Sequence, residues 1–195
     1  MKLERSFYTR WDVVQVARDL IGKVLITNFN NEITSGIIIE TEAYEGVTDL
    51  ASHAYGGRRT ARTEVMYSQG GVAYVYLCYG MHSLFNIVTN IEGVPHAVLI
   101  RGICPLEGKE MMKMRTQKPE LVRGSGIGPG KVSKLLGIHY SHTGVDLLGD
   151  NIWLEDRGLA FNDAILTGTR IGVQYSGQDA LLPYRFWIPE VKIKL

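Results

Sequence analysis

Cysteine is almost missing from this sequence. Cys78 and Cys104 are the only two in 195 residues, they make no CxxC pair, and each lies in an apolar, strand-like stretch. Two such thiols build neither a disulfide framework nor a zinc knuckle, so buried, reduced side chains are expected. Long apolar runs are missing too: no segment approaches the length of a membrane span, and the opening MKLERSFYTR lacks the apolar stretch of a secretory leader. No membrane partner is expected, and the expected location is cytoplasmic, on the nucleoid in a bacterium or in the nucleus of a eukaryote. Internal repeats, low-complexity tracts and long linkers are absent, so residues 1–195 are expected to form a single domain. Nothing in the chain calls for a second copy, and a monomer is expected.

A strong net charge is lacking as well. The chain holds 21 Lys and Arg against 20 Asp and Glu, which argues against a uniformly basic nucleic-acid binder. The distribution is uneven, however. Residues 101–134 carry eight basic side chains against Glu107, Glu110 and Glu120, while 146–195 holds seven acidic and five basic residues. Arg58, Arg59 and Arg62 form a second basic cluster. Such asymmetry suits one basic face for phosphates on an acidic remainder, although solvated charged faces give the same pattern.

What the chain does have is strand-forming sequence. KVLIT, SGIIIETEAY, VAYVYLCY, LFNIVT and HAVLIRGI read as strands rich in Val, Ile and Tyr. Thr9 is placed to cap a helix over 10–21, with Asp12 three positions on and Gly22 as its stop. Pro105 is placed to open a helix through EGKEMMKMR, and GSGIGPG at 124–130 leads into a helix over KVSKLLG. From Thr143 onward NIWLED, TRIGVQY and YRFWIP read as further strands. Strands dominate and helices decorate, which predicts an α+β fold rather than a doubly wound parallel sheet.

Three segments could carry chemistry. Along IIIETEAY side chains alternate, so Glu40, Glu42 and Tyr44 share one face, and a carboxylate beside an aromatic suits a general base next to a stacking platform. The plain alternative is a solvated strand face, and His53, in the polar loop that follows, is by itself as readily structural. In VAYVYLCYGMH, Tyr74 and Tyr76 project to one face and Tyr79 to the other, just before Gly80. Aromatics stack on bases or wedge between base steps. Tyr74 is read as a buried strand tyrosine with a wet hydroxyl, whereas Tyr79 at the turn points to function. The third segment, GSGIGPGKVSK, is no Walker A loop, because Ser125 stands where a Gly is needed and Val132 where a Ser or Thr is. Nucleotide triphosphates are therefore not expected, but a backbone phosphate near Lys131 is, and likewise near Arg58 and Arg62 of GGRRTAR. Glu40, Glu42 and His53 could approach one another, yet no HExxH and no paired histidine spacing occurs, so no metal is expected.

Together these segments resemble the 3-methyladenine (alkyladenine) DNA glycosylase family, the group without a helix-hairpin-helix motif. The resemblance rests on ETEAY at 40–44 with His53 nine residues later, on GGRRTAR, on YVYLCYGMH followed by Asn86, on VLIRG, PLEG and GPGK, in that order across most of residues 6–158. It implies one mixed domain with an antiparallel β core, peripheral helices and a protruding β-hairpin. It implies a double-stranded DNA partner bearing damaged purines: 3-methyladenine, 7-methylguanine, hypoxanthine or ethenoadenine. Glu42 matches the family's general base, and Arg101 a site arginine near the target nucleotide's backbone and the attacking water. Tyr44, His53 and Tyr76 match the walls that sandwich a flipped base, Tyr79 with Met81 the wedge that fills the vacated stack, and Asn86 the residue that clashes with the 2-amino group of guanine. No cofactor is implied. A lyase would need an amine nucleophile, and no lysine lies within the site segments, so a monofunctional hydrolase is expected. The rival readings are a non-catalytic nucleic-acid-binding module on the same basic and aromatic surface and, third, a metal-dependent hydrolase.

Overall fold

The β-branched and tyrosine-rich runs pair edge to edge into one antiparallel sheet. In the computed structural model, which describes residues 1–189, the strands are β1 Val24–Phe29, β2 Glu32–Tyr44, β3 Ala73–Cys78, β4 His82–Thr89, β5 His96–Pro105, β6 Ile152–Glu155, β7 Leu166–Gly168 and β8 Arg185–Trp187. Their order is β3-β4-β5-β2-β1-β6, with β8 against β2 and β7 against β8. Four short helices flank the sheet: α1 Arg5–Tyr8, α2 Val13–Asp19, α3 Lys109–Thr116 and α4 Pro129–Leu136. This is the expected α+β arrangement with an antiparallel core. Among the described residues no helix is long and apolar enough to cross a membrane.

Strand β2 organises the molecule. It is buried from Thr34 to Ala43, pairing with β1 through its first half and with β5 through its second. Strand β8 takes up Glu40, Thr41 and Glu42 on the edge that β1 has left. The β2–β5 register shifts between Ile38 and Thr41, and such a bulge bends a strand and re-aims its side chains. The Thr41 hydroxyl donates to the Ala17 carbonyl at 2.8 Å, fastening α2 to one face of β2. Glu40 and Glu42 therefore look the other way. The main apolar core lies between the sheet and α2, α3 and α4; a smaller cluster of Ala54, Met66, Tyr67, Tyr74, Val88 and Ala97 sits under the loop 45–72.

Some boundaries differ from those the sequence suggests. Helix α2 starts at Val13, capped by Asp12, whose carboxylate accepts from the Gln15 N–H at 2.9 Å. Thr9 does not cap it: it is the C-cap of α1, four residues before Val13. Pro105 ends β5, opposite Gly36, instead of opening a helix; lacking an N–H, it suits the end of a ladder. Helix α3 begins four residues later, after Gly108 at φ +71°, where a Cβ would stand 2.3 Å from the Ile33 carbonyl oxygen. Helix α4 forms where expected but starts two residues earlier, at Pro129, and ends at Leu136 with Gly137 as its cap. The segment TRIGVQY is not a strand: it runs as a loop into a 3-10 helix over Gln174–Leu181, held off the sheet by the buried side chain of Arg170 and a turn at Gly172, φ +79°. Cys78 and Cys104 are half-buried rather than buried; both lie near strand ends, Cys104 against the edge of the main core.

Candidate active site

The site grows from the exit of β2. Glu42 is fully buried, and both its oxygens are engaged. Oε2 accepts from the Tyr44 hydroxyl at 2.8 Å, and Oε1 accepts from the Ile171 N–H at 2.7 Å and lies 3.4 Å from Arg101 Nε. Arg101, opposite on β5, reaches Glu40 at the same distance, and Arg185 of β8 binds Glu40 at 3.0 Å. Burial raises the Glu42 carboxyl above its usual pKa; Arg101, the Ile171 amide and the Tyr44 hydroxyl pull it back, and Glu40 pushes it up again. The Tyr44 hydroxyl is pushed well above its usual value, by burial first and by Glu42 next, so it stays a donor to the carboxylate.

Tyr44 also lines a small recess of about 40 Å³ that opens to solvent, with His53, Tyr74, Tyr76, Asn86 and Tyr175 around it. That is far smaller than a small-ligand site, so the recess as it stands must widen to admit a ring. His53 and Tyr76 meet edge to face at 4.7 Å, and Tyr74 lies 5.5 Å from Tyr76. The His53 Nδ1 is 2.7 Å from the Tyr74 hydroxyl, and its Nε2 is 3.1 Å from Arg62. The same Arg62 nitrogen is 3.4 Å from Nδ1, so the guanidinium lies against both ring nitrogens. Burial, then Arg62 and Arg58, lower the His53 pKa to about 4, and the ring is neutral at physiological pH.

The alternation read from the sequence places Tyr74 and Tyr76 together, but Tyr74 is more than a buried strand residue, since it forms part of the recess. Asn86, opposite Tyr74 in the β3–β4 ladder, donates its side-chain amide to the Tyr74 and Leu84 carbonyls at 3.1 and 3.2 Å. The β3–β4 hairpin ends in a turn with Tyr79 at φ +51° and Gly80 at φ +68°, the two positive φ values that a tight hairpin turn of this hand requires. Tyr79 is 90 % exposed and Met81 72 %. Lys131, in the first turn of α4, is exposed and shares an apolar groove with Tyr79 and His82. Arg58 is exposed, whereas Arg62 lies with its guanidinium 4.7 Å over the Tyr76 ring, at the mouth of the recess. Among the described residues no group of three or more His, Cys, Asp or Glu side chains could hold a metal ion.

Three members of the site escaped the sequence reading. Arg170 pairs with Asp49, 121 residues away, in full burial. Ile171 contributes only its backbone N–H. Tyr175, 71 % exposed, stands at the mouth of the recess. None belongs to a recognisable motif; the run IGVQY signals a strand, and only the adjacent arginine hinted at anything else.

The family model described as methylpurine-DNA glycosylase matches residues 6–192 of this chain. Curated relatives that carry the provisional name 3-methyladenine DNA glycosylase align along nearly their whole length. The Chlamydia abortus protein is 45 % identical over 187 residues, covering 94 % of this chain and 96 % of its own. The Clostridium perfringens protein is 43 % identical over 201 residues, covering 98 % of each. The Desulfitobacterium hafniense protein is 41 % identical over 196 residues, covering 97 % and 96 %.

Proposed function

The chain belongs to the methylpurine-DNA glycosylase family, and on that premise we propose that it excises alkylated or deaminated purines by flipping them into the aromatic recess and hydrolysing the base–sugar bond with a water activated by Glu42. DNA is the substrate and N-glycosidic hydrolysis the reaction class. The target bases in this reading are 3-methyladenine, 7-methylguanine, hypoxanthine and ethenoadenine, taken from duplex DNA by the protein as a monomer.

One observation carries the reading: a fully buried carboxylate, Glu42, is hydrogen-bonded to a wall of the recess, Tyr44. A carboxylate has about four acceptor positions, so the contacts with Tyr44, Ile171 and Arg101 leave room for a water. Glu42 takes one proton from that water while its oxygen bonds to C1′, and the electron pair of the breaking bond leaves on the base nitrogen. An alkylated, cationic base departs neutral. Hypoxanthine, which is neutral, needs a proton to leave as easily. Access to Glu42 requires the incoming sugar to part the contacts that cover it.

The walls suit this cargo. Neutral His53 with Tyr44 and Tyr76 makes an electron-rich slot that attracts a cationic ring. Arg62 must then swing from the mouth, and the DNA backbone offers it a phosphate, as it does Arg58 and Lys131. Extruding a nucleotide costs a few kcal/mol, least for a damaged or mispaired base, and Tyr79 with Met81 fills the gap left behind. None of the residues lining the recess is a lysine, which supports hydrolysis without a covalent base–lyase step. The test is release of free base from methylated and inosine-containing duplexes in excess EDTA. Release at the metal-replete rate is expected. No release under either condition would favour a DNA-binding module, and loss with EDTA alone a metal enzyme.

A further inference from the structure

We infer that Arg170, locked to Asp49, is a positioning residue for Glu42: it fixes the next peptide so that the Ile171 N–H holds the carboxylate, and it backs the Tyr44 ring that supplies the second hydrogen bond. The inference rests on Glu42 being the base.

The Arg170 side chain is 0 % exposed and that of Asp49 1 %. Burying two charges costs several kcal/mol each, and such a pair is seldom a net source of stability. Its placement therefore needs another reason, and its contacts supply one. Arg170 Nη1 binds Asp49 and the Ala43 carbonyl, the latter at 2.9 Å; Nη2 binds Asp49 at 2.9 Å and the Asp179 carbonyl at 3.1 Å. Ala43 sits between Glu42 and Tyr44, so one guanidinium grips the backbone of the strand that carries both. The same guanidinium lies 4.8 Å from the Tyr44 ring centre. Its main chain runs directly into Ile171, whose N–H is 2.7 Å from Glu42 Oε1. Gly172 at φ +79° then turns the chain away, so the amide's direction depends on the residue before it.

Asp49 is itself held, accepting from the Glu45 and Ala51 N–H groups at 3.2 and 2.9 Å. The pair thus ties the loop leading to His53 to the loop behind Glu42.

An N–H donated to a carboxylate favours its ionised form. The groups facing Glu42 are Tyr44 and Glu40 from β2, Arg101 from β5, and Arg170, Tyr175 and the Ile171 amide from the loop behind it. Loosening the Ile171 amide therefore moves the ionisation of Glu42 to higher pH. Activity that needs the carboxylate is lost as pH falls through that value, and the loss then begins at higher pH.

The experiment is single-turnover base release against pH for wild type, Asp49→Asn and Arg170→Lys, with binding to an abasic-site duplex and circular dichroism on the same samples. Asp49→Asn keeps the size of the side chain but leaves the buried Arg170 without its counter-charge and lowers stability, so its acid limb is read at a temperature where circular dichroism shows it folded. Its acid limb is expected about one pH unit higher, roughly tenfold slower on that limb and close to wild type on the alkaline plateau, with abasic-site affinity unchanged. Equal slowing at every pH in both variants, or an acid limb that does not move in a folded Asp49→Asn protein, overturns the inference. If Glu42→Gln retains wild-type release, the base assignment itself has failed, and that outcome is separable from the first.

Discussion

A carboxylate at position 42 is placed where ionisation is costly, and the residues around it offset that cost only in part. Burial raises its pKa, and three donors lower it without cancelling the rise, which leaves a carboxylate more basic than usual, the direction that the proposed role as a general base needs. Asn86 is the other residue whose surroundings bear on the proposed function. Both hydrogens of its amide are spent on the Tyr74 and Leu84 carbonyls, so the side chain cannot swing aside and forms a fixed wall of the recess. An aromatic slot accepts every purine face alike, and rejecting guanine needs a group that its 2-amino substituent strikes. Asn86→Ser should raise guanine release from a G·T duplex by about tenfold, the scale of a small steric exclusion, while hypoxanthine release from I·T stays within a few-fold of wild type. No gain on guanine would leave Asn86 as a strand residue that satisfies its own backbone. At this scale much could be read from the sequence. Glu42, Tyr44 and His53 stand within twelve residues, and Tyr74 and Tyr76 alternate on one strand, so local geometry brings them together. Arg170, Asp49 and the Ile171 amide could not be read, because a pair 121 residues apart leaves no periodic trace and a backbone donor has no residue identity.

At the level of elements, the β3–β4 hairpin is the telling piece. A type of turn that favours Asn or Gly at its first central position holds Tyr79 there at φ +51°, and an L-residue in that region is strained by roughly 1–2 kcal/mol. An exposed, strained ring at a hairpin tip has no folding purpose in view, and it fits a wedge. Tyr79→Ser should lower the extruded fraction of an etheno-base in duplex several-fold, read by its fluorescence, without lowering the melting temperature of the free protein. Flipping equal to wild type would end the wedge assignment. The strands were legible because Val, Ile and Tyr runs are long and bounded by turns. The misreadings have local causes. Asp12 rather than Thr9 caps α2 because Thr9 closes α1 instead, Pro105 was drawn into the β5 ladder, and residues 169–175 run as a loop around one buried arginine.

Across the whole molecule, the basic residues of 101–134 do not all serve a phosphate face. Arg115 donates to Thr34 Oγ1 and the Leu135 carbonyl, both at 3.0 Å, Lys113 pairs with Glu110 at 2.7 Å, and Arg101 faces Glu40 and Glu42. Charge counts from sequence overstate such a face, since an arginine that ties helices to a sheet reads the same as one left for DNA. Arg58 and Lys131 remain exposed, Arg58 in the loop that leads from the recess and Lys131 in the groove it shares with Tyr79. The proposed mechanism depends on one carboxylate for its chemistry, and the most direct measurement is single-turnover base release by Glu42→Gln set against its binding to the same damaged duplex. Base release at least about a thousandfold below wild type, with duplex affinity retained within a few-fold, is the predicted result; release at the wild-type rate would contradict the account.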